Sequence, residues 1–70
     1  MPIRRYLQGL FVEPEIMEAM DIAFARVRNE LGLSDHDPLN WIAARAVRLK
    51  ARQGSHDPAE LARSVLRAFR

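Results

Sequence analysis

Three amphipathic stretches organise the chain. In the first, Ile16, Met20, Ala23, Phe24, Val27 and Leu31 recur at steps of three and four, flanked by Met17 and Ala19. A helix turning ~100° per residue gathers them on one side. The second stretch runs from Asp37 to Gln53 and carries two faces. Leu39, Ile42, Ala43, Ala46, Val47 and Leu49 cluster on one side. Opposite them, Trp41, Arg45, Arg48 and Arg52 fall within about 60° of each other. The third stretch offers Leu61, Ala62, Val65, Leu66, Ala68 and Phe69 to a core. Nothing reads as a strand, because β-branched residues are few and never alternate with polar ones over a useful length. The pattern predicts an all-α, small three-helix bundle with helices over about 14–31, 38–53 and 58–69. Residues 1–12 form an N-terminal arm, and 13–70 form a single three-helix domain. Phe24, Ile42, Val65 and Phe69 are expected to meet at the centre, nearly fully buried.

The punctuation between the stretches supports these limits. Pro14 suits a first helical position, where its missing N–H has no intrahelical acceptor anyway. Glu15 and Glu18 then lie near the positive end of that helix. Val12 is placed to pack on Met17 as a hydrophobic staple. Gly32 is expected to end the helix in a left-handed conformation, with Leu33 folding back. Asp37-Pro38 starts the middle helix and Gly54 stops it. Asp57-Pro58 repeats the same start, and Glu60 stands three residues on, as in a capping box. His-Asp-Pro thus occurs at 36–38 and 56–58, one grammar for starting a helix used twice. In the arm, Gly9 argues against one continuous helix. A short turn near residues 4–8 is expected, with Leu10 and Phe11 buried across the bundle and the first few residues frayed.

A chain of 70 residues leaves roughly 40% of its unfolded surface in water, so its stability is marginal. Small domains often add a disulfide, a metal or a second subunit. Cysteine is absent, which closes the first route and suits a reducing compartment. No apolar run approaches the ~18 residues of a membrane span. Gln8, Gly9 and Glu13 interrupt the apolar start too soon for a signal sequence. A cytoplasmic protein with no membrane partner is the expectation. The formal charge is only +2, and all but one of the basic residues are arginine.

Catalytic and metal chemistry find little support. His36 and His56, each beside aspartate, lie at opposite ends of a helix roughly 22–24 Å long, too far apart to share one ion. Asp37 and Asp57 are already used as caps. The three glycines are isolated, so there is no phosphate-cradling loop. Ser34 and Ser55 sit in turns, where hydroxyls commonly bond nearby backbone. Glu15, Glu18 and Asp21 are expected to face solvent without a buried partner. So small a bundle has little room for a pocket of ~300 Å³ or more. No catalytic residue, cofactor or metal is assigned, and the chain is not read as an enzyme.

The stripe Trp41–Arg45–Arg48–Arg52 is the sharpest functional feature, because tryptophan and arginine are enriched where proteins bind partners. Arg63, Arg67 and Arg70 extend basic character onto the third helix. Ile22 joins the candidates, being apolar on the otherwise polar side of the first helix among Glu15, Glu18 and Asn29. Met17 and Met20 read as core filling. Two partner classes follow. Nucleic acid would use arginines on phosphates and Trp41 on a base. A protein partner, including a second copy, would use the same face as an anchor. Charge favours the second. Residues 13–33 hold five acidic and two basic residues, while the flanking segments are net positive. That split suits self-association better than binding to a polyanion. The expected role is a small protein-interaction module, a homodimer or the ligand of a small protein, with nucleic-acid binding as the alternative.

Phe11, Pro14-Glu15, Met20, Ala23-Phe24, Leu31-Gly32-Leu33, Asp37-Pro38, Gly54 and Asp57-Pro58 together resemble short uncharacterised bacterial helical proteins. The resemblance covers about residues 11–66 and consists of caps and core positions. It implies a helical fold in a bacterial protein and brings no activity or functional residue.

Overall fold

The computed structural model describes residues 3–7 and 11–69. A turn of 3₁₀ helix, Ile3–Tyr6, precedes three α-helices: α1 Pro14–Leu31, α2 Leu39–Arg52 and α3 Pro58–Ala68. Each α-helix packs on the other two, and the N-terminal turn packs on α1 and α2. The all-α three-helix bundle expected from the pattern is therefore present, with ends that move by a residue, within ordinary fraying. Among the described residues no helix is long and apolar enough to cross a membrane.

Caps explain why the helices start and stop where they do. Pro14 opens α1. At its end, Gly32 adopts φ +67°, and the N–H groups of Gly32 and Leu33 donate to the carbonyls of Asn29 and Arg28 at 3.3 and 2.9 Å. This crossed pair is the Schellman arrangement, which uses carbonyls the helix leaves free. The same motif closes α2. Gly54 has φ +104°, Gly54 N–H reaches Ala51 O at 3.1 Å, and Ser55 N–H reaches Lys50 O at 3.4 Å. At the starts, Asp37 Oδ1 accepts Leu39 N–H at 2.9 Å, and Asp57 Oδ1 accepts Ala59 N–H at 3.4 Å. The expected capping box does not close. Glu60 takes Arg63 Nη1 at 2.7 Å instead, one turn further along the exposed face.

The α1 stripe is as expected: Ala19, Met20, Ala23, Phe24 and Val27 are buried, with Ile16, Met17 and Leu31 partly covered. In α3, Leu61, Ala62 and Val65 are buried, Leu66 and Phe69 are half-buried, and Ala68 is exposed. So Phe24 and Val65 hold the centre, while Phe69 sits at its edge near the chain end.

The middle helix differs. Its buried residues are Asn40, Ala43, Ala44, Val47 and Ala51. Leu39, Ile42 and Leu49, expected inside, are exposed. The inward face is turned by about one residue, ~100°, from the expected one. Two physical causes combine. Alanines at 43, 44 and 51 let α1 and α3 approach closely, since interaxial distance follows the side chains at the contact. Asn40 is drawn inward by polar partners described below. Bulky apolar groups are left on the outer flank.

The arm also differs. Ile3 and Leu7 are its buried anchors. Ile3 N–H donates to Asp21 Oδ1 at 2.8 Å, and Arg4 Nε lies 3.7 Å from Asp21 Oδ2. The segment near the start is therefore pinned at Ile3 rather than frayed there, and Asp21 has a partner instead of facing solvent alone. Phe11, expected to be buried, is 92% exposed. Leu10, its expected companion, lies outside the described residues.

Candidate functional site

The outward face of α2 carries the candidate site. A helix that places alanines inward and large apolar side chains outward reverses the usual arrangement. Trp41 is 61% exposed, Ile42 55% and Leu49 53%. Arg45 and Arg52 are exposed beside them, and Arg48 is half-buried. With Lys50, α2 holds four basic residues and no acidic one.

Tyr6 sets the position of Trp41. Its ring stands edge-on to Trp41 with centroids 4.4 Å apart and planes at 89°. The same ring meets Phe24 at 5.5 Å and 70°. Such edge-to-face contacts are each worth ~0.5–1.5 kcal/mol beyond burial. They join Trp41 through Tyr6 to the core, so the exposed indole is held on one side and open on the other.

Two open grooves run along this side. The first, about 450 Å³, is lined by Tyr6, Leu7, Trp41, Ile42, Arg45 and Arg48. The second, about 500 Å³, lies between Phe11, Val12 and Glu13 on one wall and Arg48, Ala51 and Arg52 on the other, floored by Ile16 and Met20. Arg48 borders both. Space above the ~300 Å³ of a ligand pocket thus exists, contrary to expectation, as surface grooves where the arm does not cover the flank of α2.

The structure therefore brings Trp41, Arg45 and Arg48 to one groove and Arg52 to the next. Ile22 is 51% exposed but borders neither groove; it stands on the outer face of α1. Arg63 is engaged with Glu60, Arg67 is exposed, and Arg70 lies outside the described residues. His36 and His56 are exposed in the two connections. Among the described residues no three His, Cys, Asp or Glu side chains gather as metal ligands would.

A polar cluster on the α1–α2 connection went unread in the sequence. Asn40 is buried, accepts Arg28 Nε at 3.0 Å and donates to Ser34 O at 2.7 Å. Arg28 Nη2 donates to Asp35 Oδ1, and the guanidinium carbon lies 5.7 Å from the Phe24 ring centroid. That bond, with the Arg28 charge, holds the Asp35 carboxyl below its ordinary pKa. The signal for Asn40 was its register: residues 40, 43, 44, 47 and 51 share one helical face.

Compared with protein-family models, curated proteins and solved structures, the chain matches none of them.

Proposed function

We propose that the chain is a small protein-interaction module that self-associates through the outward face of α2, binding without catalysis. One observation carries the reading: α2 places its small residues inward and Trp41, Ile42 and Leu49 outward. Three large apolar groups on one helix flank lose free energy to water, about 25 cal/mol per Å² of apolar area that a partner would cover. The arginines around them supply the polar border usual at contact sites. A cysteine-free sequence suits the reducing cytoplasm of a bacterium, the setting we propose.

Sedimentation equilibrium tests this. The expected result is a homodimer at micromolar concentration, shifted toward monomer by Trp41→Ala and by Arg45→Glu combined with Arg48→Glu. A wild type that stays monomeric at every concentration, with unchanged Trp41 fluorescence on dilution, overturns it. Nucleic acid is the rival occupant, because α2 is purely basic. It would show as DNA binding that falls steeply with salt. The acidic outer face of α1, with Glu15, Glu18 and Glu30 exposed, weighs against it.

A further inference from the structure

The grooves define a site, and the chain itself carries a segment that fits it. Phe11 has nearly its whole ring in water, although Leu7 before it is buried and Val12 after it is half-buried. Phe11-Val12-Glu13-Pro14-Glu15 contains two carboxylates and no base. The groove of Tyr6, Leu7, Trp41 and Ile42 offers aromatic and aliphatic side chains, with Arg45 and Arg48 also lining it. Among the described residues none of Glu13, Glu15, Arg45, Arg48 and Arg52 has an ion-pair partner. An apolar knob beside unpaired anions therefore matches an apolar hole beside unpaired cations.

We infer that this groove seats Phe11 of a second copy, with that copy's Glu13 against Arg45 and Arg48, and that the exchange is reciprocal. The inference rests on the self-association proposed above and names the segment that makes it. Placement on the molecule supports the exchange. Phe11 stands over the C-terminal half of α2, across from Ala51 and Arg52. The hole opens at the N-terminal half, at Trp41 and Ile42. Ten residues of helix separate Ile42 from Arg52, roughly 15 Å. Knob and hole thus lie side by side on one flank, so two copies related by a two-fold axis, with antiparallel α2 helices, each present the knob to the other's hole. This is the self-complementary geometry of an isologous contact. Direct pairing of α2 on α2 without the arm would bring cation against cation, since α2 holds no acid. The Glu13 carboxylates supplied by Phe11 docking remove that repulsion. Phe11 does not line its own chain's hole; it stands across the other groove from its own Arg52.

The experiment uses the full chain and two charge reversals in trans. Phe11→Ala is expected to weaken dimerisation at least about tenfold, as loss of an anchoring aromatic does, with helical circular dichroism and melting of the monomer retained. Glu13→Arg alone and Arg48→Glu alone each weaken the homodimer. An equimolar mixture of those two variants forms heterodimers tighter than either variant alone. In the heterodimer the arginine introduced at position 13 of one chain faces the glutamate introduced at position 48 of the other, while the second contact stays native. Repair in a mixture cannot arise within one chain. A wild-type dimer that Phe11→Ala does not weaken, or a mixture no tighter than the separate variants, overturns this inference and leaves self-association standing. A wild type monomeric at every concentration overturns both.

Discussion

Arg28 joins elements that are distant in sequence. Its side chain is mostly buried, and it bonds Asn40 on α2 and Asp35 in the connection while lying over Phe24. Asn40 passes the link to Ser34 O. A buried polar group deprived of its partner costs about 1–3 kcal/mol. Asn40→Ala should therefore lower urea-denaturation stability by that amount, although it deletes only a small side chain. Asp35 gives the cluster a pH dependence. Its pKa is lowered in the folded state by Arg28, so the bond stabilises above the unfolded pKa and is lost as pH falls through the folded one. Melting followed from about pH 5 down to about pH 2 should show a steeper acid decline in the wild type than in Asp35→Asn. The effect is small, since Asp35 is largely exposed and exposed pairs contribute little. The two helix-start aspartates should each be worth about 0.5–2 kcal/mol. Asp37→Ala should cost more than Asp57→Ala in the same assay, because its bond is 2.9 Å against 3.4 Å. Equal midpoints for wild type and both variants would show that neither cap contributes.

At the scale of elements, the rotation of α2 is open to a direct comparison of two variants. Phe24→Ala empties a fully buried site and should cost roughly 3–5 kcal/mol, enough to unfold most of the domain. Ile42→Ala should change monomer stability by about 0.5 kcal/mol or less, as exposed substitutions do. Similar large losses from both would return Ile42 to the core and reject the observed register. The N-terminal turn makes a second element-scale case. Asp21 bonds Ile3 N–H beside Arg4, and hydrogen bonds to charged groups are worth ~1.5–3 kcal/mol. Asp21→Ala should loosen the turn, free Tyr6 from Trp41 and red-shift Trp41 fluorescence while helical content stays near native.

For the whole molecule, size sets the terms. A domain of this length covers only about 60% of its unfolded surface, and part of what remains in water is Phe11, Trp41, Ile42 and Leu49. Association that covers them adds to folding stability by mass action. The melting temperature of the wild type should accordingly rise with protein concentration. For Phe11→Ala the rise should set in at protein concentrations at least about tenfold higher, and a concentration-independent wild type would argue against any dimer.

The elements and their limits were legible in the order of residues. Proline at 14 and 58, aspartate at 37 and 57 and glycine at 32 and 54 act through backbone chemistry within a few residues, so their effects are readable locally. The inward faces of α1 and α3 were nearly as readable, because each has one dominant apolar stripe. In α2 the sequence offered two overlapping stripes, a bulky one through Leu39, Ile42 and Leu49 and a small one through Ala43, Ala44 and Ala51. Hydrophobicity favoured the first. Packing selected the second, since how close α1 and α3 can lie depends on all three helices at once. The same holds for Asp21 and Arg28, whose partners are 18 and 12 residues away, beyond the reach of any helical period. The Trp41–Arg45–Arg48 side of the site was legible as a stripe. That Tyr6 would brace Trp41, that Ile42 and Leu49 would join the outer flank, and that Phe11 would stand in water beside it followed only when the arm and the bundle met.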